Sequence, residues 1–419
     1  MQPWERRLRD LSNLLAACGS NYFSPDLFRQ NTNQFLQTSR TVTFIIQKHK
    51  ASIPGFSSWY DAHVLTPWSS DSVMTWAKDA RNVIEKEGDL DMHSSLRASL
   101  VFSHLPSQDA VVATTRKELF HAGVDKLLRL ATTKLPPGVA DAAVLRIERR
   151  WVANSLPTHE LLAAMTYAYA RLFDAVDSLA RHLNTSLDSS IPHPTRFDPT
   201  STDATKVRYI KLSAPAVGKL EAHRIDRDPS FRPPAPIEAL AKAFSDEKKP
   251  QSLAEVVEAF AQVAEATFSH FGNHVPMLFL LDQSWKPIAH LGAHFDDQAD
   301  KFLFWRHAAE RAAYLRAYAA VWISETWLRD MSDRGVLPIR EMPIIGEHLN
   351  VIGVAVDGSE RRIGWEIHRP DPQARPVLKP RNLTEDEKTG TTVFFLKPVL
   401  EAMRMARGFS AASQETPSK

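Results

Sequence analysis

The chain has 419 residues, of which 43% are hydrophobic and 24% are charged. This composition is typical of a soluble globular protein, and the length predicts two or three domains. With 51 basic and 49 acidic side chains, the formal net charge is only +2. A nucleic-acid partner would therefore need a local basic patch, since the molecule as a whole is close to neutral.

The single cysteine and the distribution of apolar residues bear on the compartment. Cys18 by itself cannot form an intramolecular disulfide or a thiolate metal cluster, which favours a reducing compartment. Its apolar neighbours predict a buried structural thiol. No run approaches the roughly 18 apolar residues of a membrane span, and the first turns carry charges where a secretory signal is apolar. We therefore expect a cytoplasmic protein with no membrane partner.

Helical periodicity dominates the first half of the chain. Residues 141–156 and 158–184 predict a pair of helices, the second of them capped by Thr158. In residues 95–106, apolar and polar side chains alternate, which predicts a short strand or an extended insertion. Together these patterns predict an all-α N-terminal helical bundle over residues 1–184.

The rest of the chain predicts a linker and a second domain of mixed structure. Residues 185–236 are rich in Ser, Thr, Asp and Pro, as linkers are, although residues 206–215 could pair as a strand. From 237 to 408, helix and strand patterns alternate, and the Asp-Gly pair at 357–358 is a hairpin signal. We predict an α+β domain with a mainly antiparallel sheet and helices on one face, followed by a disordered tail at 409–419.

An amphipathic helix that ends at Gly88 carries the first candidate site. Its apolar stripe consists of Val73, Trp76, Ala77, Ala80, Val83 and Ile84. Arg81 lies at the edge of this stripe, where it can pair with Glu85, and Asn82 and Lys86 lie on the opposite side. These polar residues form either a solvated face or a site. Asparagine is a poor helix former away from a cap, so Asn82 favours the second interpretation.

The Arg81-Asn82 pair, followed by a basic residue five positions after Arg81, resembles the motif of the HEPN superfamily. In its ribonuclease members, Arg is followed after four to six residues by His. The resemblance implies a helical bundle that dimerises, so that two motifs form one metal-independent RNA-cleaving cleft. In this chain Lys86 stands where the shortest spacing requires His, and lysine is a poor general base near neutral pH. The N-terminal segments also resemble a bacterial protein family without an assigned activity.

The sequence contains no phosphate-binding loop, dinucleotide fingerprint or nucleophile elbow, and we predict no cofactor. Two His-x-x-x-His spacings, His270/His274 and His290/His294, have the separation of helical zinc ligands. The first pair spans a helix end, and in a strand the second pair would stand about 13 Å apart. We therefore predict no metal site.

Two further groups of residues could form binding surfaces. Aromatic and arginine residues are interleaved over residues 297–317. This pattern is typical of a helix with a buried aromatic stripe and an exposed basic side. It is also typical of a surface on which the bases of single-stranded nucleic acid stack. Glu325 and Trp327, at the end of a predicted strand, could line a cleft at one sheet edge together with Glu347.

Two functions of different classes follow. The first is a non-catalytic or weakly catalytic HEPN-like interaction protein, RNA-associated in stress or phage defence, that forms a homodimer or binds a protein partner, with the second domain as the recognition module. The alternative is a metal-independent ribonuclease with a dimeric cleft, in which Arg81 and Asn82 engage the RNA backbone and Lys86 holds a phosphate. The absence of the motif histidine favours the first.

Overall fold

The computed structural model describes residues 1–113, 121–133, 142–197, 206–213, 249–330, 341–370, 375–383 and 393–408, and the single residues 230, 232, 234, 235, 238 and 332. The chain divides into two compact units, which we call unit 1 (Met1–Leu100 with Ala110–Lys219) and unit 2 (Val101–Asp109 with Leu220–Lys419). The predicted tail and parts of the predicted linker lie outside the described residues. Within the described part of the chain, no helix is both long and apolar enough to cross a membrane.

Unit 1 begins with a helical layer. Its described α-helices are α1 (Pro3–Ser20), α2 (Pro25–Lys48), α3 (Phe56–Tyr60), α4 (Thr66–Ser69), α5 (Ser72–Glu87), α6 (Val124–Thr132) and α7 (Leu161–His182), with a π-helical turn at Asp61–Leu65. Local sequence explains the ends of α5. The carboxylate of Asp71 accepts the backbone N–H groups of Val73 and Met74, and Gly88 ends the helix with φ 109°, a backbone conformation that favours glycine.

Unit 1 also contains a four-stranded sheet, and α6 and α7 lie between its strands in the chain. Its strands are β1 (Met92–Val101), β2 (Ala110–Ala113), β3 (Val144–Ala153) and β4 (Lys206–Lys211), in the order β2-β1-β3-β4. The predicted fold class is confirmed, because N-terminal helices over residues 3–87 precede antiparallel sheets and further helices. The strand alternatives for residues 95–106 and 206–215 are also confirmed, since β1 and β4 lie there.

The helix predicted over residues 141–156 is wrong, because most of this segment is β3. Every second side chain of this strand is buried, at positions 145, 147, 149, 151 and 153. Because position 149 is a charged arginine, the sequence does not show a regular alternation of apolar and polar residues. The cap of α7 also differs from the prediction. Glu160, and not Thr158, is the cap, and its carboxylate accepts the backbone N–H of Ala163 in the first turn at 2.8 Å.

A buried polar network joins the elements of unit 1 around Tyr22. The Tyr22 hydroxyl donates to Glu160 Oε1 at 2.9 Å and accepts the backbone N–H of Trp151 at 3.2 Å. The Trp151 indole donates in turn to the Tyr22 carbonyl at 2.9 Å. Burial raises the pKa of Tyr22 and of Glu160. The turn between α1 and α2, strand β3 and the start of α7 therefore converge on one phenol group.

Arg149 and Cys18 show the same desolvation in the core of unit 1. Arg149 is 1% exposed. Its guanidinium donates to the carbonyls of Phe23 and Ala122, and the guanidinium carbon lies 5.3 Å from the centroid of the Trp151 ring. Burial lowers the pKa of Arg149 to about 10 and raises that of the Cys18 thiol to about 12. The prediction that Cys18 is a buried structural thiol is confirmed.

Unit 2 is built on a six-stranded antiparallel sheet. Its elements are α8 (Leu253–Phe271), β5 (Met277–Leu281), β6 (Pro287–Gly292), α9 (Gln298–Tyr314), β7 (Ala319–Arg329), β8 (Ile344–Ala355), β9 (Glu360–His368), β10 (Val377–Pro380) and α10 (Lys397–Ala406). The strand order is β10-β9-β8-β7-β5-β6, and the predicted Asp-Gly hairpin joins β8 to β9.

Helices cover both faces of this sheet, so the predicted single helical face is wrong. Alternate residues of β7 point to opposite sides: Val321 packs with α8, and Trp322 packs with α9 and α10. The side that faces α8 needs a residue without a side chain at Gly353, because a Cβ there would lie 2.4 Å from Val257 Cγ2. Two apolar faces on one sheet require two covering layers.

A buried ion pair and a buried histidine lie at α9 in unit 2. Arg306 binds both oxygens of Asp109 at 2.7 and 3.1 Å, with about a tenth of each side chain exposed. His104 packs edge-on against Phe302 and close to Phe394, with ring centroids 5.0 Å apart in each case. Burial is the main reason that the pKa of His104 is lowered to about 4, and the positive charges of Lys301 and Arg306 lower it further.

The polar network predicts a clear cost for loss of the Tyr22 hydroxyl. Tyr22→Phe removes the hydroxyl that pairs with the buried Trp151 amide and with Glu160 Oε1, so we expect a loss of about 1–3 kcal/mol in the free energy of unfolding. Urea unfolding followed by circular dichroism measures it. Tyr314→Phe is the matched control, because that side chain is 79% exposed and should change stability by less than about 0.5 kcal/mol. Equal midpoints for the two variants would contradict the role of Tyr22.

The lowered pKa of His104 predicts acid sensitivity. The unfolded chain binds a proton at His104 below about pH 6.5, whereas the folded chain does so only near pH 4. Stability should therefore fall between these pH values, by up to about 3 kcal/mol. We expect His104→Leu to lose less melting temperature than the wild type between pH 7 and pH 4.5. Parallel losses in the two proteins would show that His104 does not titrate in this way.

Candidate functional site

Strands β7 and β8 continue beyond their neighbours at one end of the sheet. The ladder between β5 and β7 ends where Met277 pairs with Ile323. From there on, β7 pairs with β8 through residues 324–329, with Trp327 opposite Glu347 and Leu328 opposite Gly346. Among the described strands, none continues beside this part of β7 on the β5 side. We call residues 324–329 and 344–350 the ribbon.

Charged side chains meet at the base of the ribbon. Glu325 is half-buried and accepts the backbone N–H of His274. Burial raises the pKa of Glu325, the nearby Glu347 adds to this effect, and the His274 amide and Arg369 oppose it. Arg369 Nε also donates to Glu347 at 2.8 Å. A half-buried carboxylate with a raised pKa beside a second carboxylate is typical of functional surfaces as well as of ion-pair networks.

Large apolar side chains at the ribbon lie in solvent. Trp327 is 57% exposed and Ile345 68%, and Leu328 and Ile344 are also exposed. The Arg329 guanidinium lies over the Trp327 ring, 5.9 Å from its centroid. Together with the charged base, these residues form what we call the ribbon surface. Tryptophan and arginine with an apolar surround are the side chains that protein–protein interfaces favour.

The ribbon surface contains the three residues that the sequence pointed to at a sheet edge. Glu325, Trp327 and Glu347 lie on the same face, because residues two apart in a strand share a side and Trp327 pairs with Glu347. Sequence reasoning missed His274 and Arg369 as members of the group. Both residues lie more than 40 positions from Glu325 in the sequence, and nothing in their spacing indicates that the chain brings them together.

The structure gives Arg81 local partners. As predicted, the stripe that includes Trp76, Ala80 and Ile84 is buried. Arg81 donates to the Asn82 side chain at 3.3 Å, and its guanidinium lies 3.8 Å from Glu85. The side chains of Asn82 and Lys86 are exposed. The three candidate residues therefore stand on one helix surface, and their role in a site stays a prediction.

The other groups considered from the sequence lie apart or in the core. His270 is exposed, whereas His274 is buried at the end of α8, and His294 is exposed beside Asp296. Within the described residues, no group of three His, Cys, Asp or Glu side chains could hold a metal ion. The α9 aromatic residues Phe302, Phe304 and Trp305 are buried, whereas Tyr314 at the end of the helix is exposed. That helix is therefore a core element.

Unit 1 contains a small cavity that the sequence did not predict. Its volume is about 130 Å³, and it is lined by His63, Pro67, Trp68, Arg171, Asp174 and Ala175. Beside it, Asp71 accepts the Tyr167 hydroxyl at 2.8 Å and lies 3.4 Å from Arg171 Nε. The residues come from α7 and from the π-helical turn with α4, which are far apart in the sequence. Nothing in their spacing indicates that they meet.

Comparison with known proteins identifies the family. The family model described as "Bacteriophage lambda protein ea47" matches residues 1–209 and 235–402. Protein ea47 of Escherichia phage lambda is 41% identical over 402 residues, which cover 96% of this chain and 97% of the relative. No solved structure matches the chain.

The resemblance to the HEPN superfamily, within a bacterial protein family, is wrong. It depended on Arg81, Asn82 and a few flanking segments, whereas the match to ea47 extends through both units. A motif of two or three residues on a helix recurs by chance, because the exposed face of any amphipathic helix carries such polar residues. The chain belongs to the family of bacteriophage lambda protein ea47.

Proposed function

We propose that this protein is a non-catalytic interaction protein that binds a protein partner through the ribbon surface of unit 2. The observation that carries the proposal is the exposure of Trp327 and Ile345 at the end of the sheet, beyond the point where Met277 of β5 pairs with Ile323 of β7. Large apolar side chains that cluster in solvent mark interaction sites more often than single exposed ones do.

The energetics of such a surface favour binding. Burying a tryptophan or isoleucine side chain contributes about 1.5–3 kcal/mol for each residue, and tryptophan is among the residues whose truncation weakens interfaces most. Arg329 already lies over the Trp327 ring. This contact restrains both side chains before a partner arrives, so less conformational entropy is lost on binding.

The charges of the ribbon surface fit a protein better than RNA. Glu325 and Glu347 lie close to Arg369, and Arg329 lies over Trp327, so the ribbon surface carries two acidic and two basic side chains. RNA and DNA binding depends on an excess of cations that neutralise phosphates. A mixed surface with an apolar centre instead orients a protein partner through complementary charges. The charges of the ribbon surface therefore do not support RNA, which the sequence suggested as a partner.

Membership in the ea47 family supports a setting in phage growth within a bacterial cell. In this setting the proposed site of action is the cytoplasm, where the lone thiol of Cys18 would stay reduced. The proposal assigns no catalytic step to Arg81, Asn82 or Lys86.

Photo-crosslinking in living bacteria tests the proposal. A photoreactive phenylalanine derivative replaces Trp327 in the full chain, and the matched control carries it at Tyr314, which is 79% exposed on α9 of the same unit. We expect a discrete crosslinked protein band from position 327 and none of that mass from position 314, because only position 327 lies in the binding surface. Mass spectrometry identifies the crosslinked chain. No band from position 327, or the same band from both positions, would refute the ribbon surface as the interface.

A further inference from the structure

We infer that strand β6 binds β6 of a second copy of this chain, with the two strands antiparallel and a twofold axis beside Leu291. The inference goes beyond the proposed function, because β6 lies outside the ribbon surface. In the six-stranded sheet, β6 follows β5 as the last strand, and no other described strand pairs with its outer edge. An uncovered edge of this kind is a template for strand addition.

The hydrogen bonds of β6 show which backbone groups this edge presents. Ala293 donates its N–H to the Pro276 carbonyl at 2.9 Å, so residue 293 points toward β5. Because this direction alternates along an antiparallel strand, residues 289 and 291 also point inward, whereas the backbone groups of His290 and Gly292 point outward. Within the described chain, those outward N–H and C=O groups have no hydrogen-bond partner. They are the groups that a second copy would meet.

The first residues of β6 are less suited to pairing. The ladder with β5 shifts between Leu280 and Leu281, so that Ile288 is an additional residue in β6, and the strand begins with Pro287. A bulge and a proline both oppose strand addition. The regular part of the edge is therefore residues 289–292, which include no Asp, Glu, Lys or Arg. Charged side chains, which keep many natural edges apart, do not protect this part.

The regular edge is complementary to itself. In an antiparallel pair centred on Leu291, residue 290 of one copy stands opposite residue 292 of the other. Since His290 and Gly292 both point their backbone groups outward, each such pair exchanges two N–H to carbonyl bonds. The twofold axis creates the pair twice, so every outward donor of this edge meets an outward acceptor.

The side chains fit the same register. A Cβ built on Gly292 has no atom within 4 Å, so the space that the opposite His290 would enter is open. On the other face the two Leu291 side chains meet at the axis, where residues directly opposite each other have Cα atoms about 4.5 Å apart. Leu291 is half-buried against the core, and this contact would remove more of its apolar surface from water. Ala289 stands opposite Ala293, so two small residues meet there.

A proline substitution in the full chain tests the inference. His290→Pro removes an N–H that has no partner within the described chain, and proline is tolerated on an edge strand where its nitrogen faces solvent. We therefore expect a folded variant that is monomeric where the wild type is dimeric. Its dissociation constant should rise at least about tenfold, because each copy loses one donor across the axis. Light scattering after size exclusion measures the masses, and circular dichroism measures the melting temperature.

His290→Ala is the matched control for this substitution. It removes the same imidazole and keeps the backbone N–H, so it should remain dimeric. A monomeric wild type, or a His290→Pro variant that is still dimeric, would overturn the inference.

A disulfide at the axis tests the register and does not depend on the folding of the proline variant. Leu291→Cys places two thiols opposite each other at a Cα separation that a disulfide can span, so mild oxidation should give a covalent dimer on a non-reducing gel. Ile288→Cys is the matched control on the same strand. Its two copies would stand roughly 20 Å apart in this register and should not crosslink. The native Cys18 is buried.

The crosslinks separate this inference from the proposed function. Failure of Leu291→Cys to crosslink, or equal crosslinking at positions 288 and 291, would overturn pairing through β6. Neither result bears on the ribbon surface, because Trp327 lies on β7 beyond the end of its ladder with β5. Loss of the photo-crosslink from position 327 would refute the ribbon surface and leave β6 pairing intact.

Discussion

The structure of unit 1 depends on the hydroxyl group of Tyr22, which is placed where three elements meet. It binds the backbone of β3 at Trp151 and the carboxylate of Glu160 at the start of α7, while Tyr22 itself lies in the turn between α1 and α2. In a desolvated core each such bond is strengthened, and each missing one leaves a buried polar group without a partner. The elements therefore hold one another in a single arrangement. Arg149 adds to this constraint, because its buried charge is stabilised by the Phe23 and Ala122 carbonyls and by the Trp151 indole.

In unit 2 the ribbon surface is exposed because helix α8 is shorter than the strands that it covers. Helix α8 has 19 residues and is roughly 28 Å long, whereas the 12 residues of β8 extend roughly 40 Å. The helix packs closely at Gly353, near one end of β8, and its last turn precedes His274, which lies beside Glu325. Among the described residues, no helix covers the strands beyond that point. Trp327 and Ile345 remain in water, and the half-buried Glu325 lies at the boundary between the covered and uncovered parts of the sheet.

Particular residues show why sequence reasoning was correct at some positions and wrong at others. The ends of α5 could be predicted because Asp71 and Gly88 act on the backbone within a few residues. Strand β3 could not be predicted because Arg149 occupies a core position, and its carbonyl partners at Phe23 and Ala122 lie far away in the chain. The HEPN-like motif on α5 misled for the opposite reason. Arg81, Asn82 and Lys86 lie on a polar helix face, where short patterns arise without a shared function.

The sequence by itself determined the order of most helices and strands, the burial of Cys18 and the hairpin between β8 and β9. These features depend on periodicity and on turn residues, which act locally. It also pointed to Glu325, Trp327 and Glu347, since the end of a strand can be read from its pattern. Only the tertiary structure decided that helices cover both faces of the second sheet, that His274 and Arg369 join Glu325 and Glu347, and that Trp327 stays exposed. Those outcomes depend on which distant segments pack together and how far each extends, because burial is a property of the assembled layers and not of any single stretch of chain.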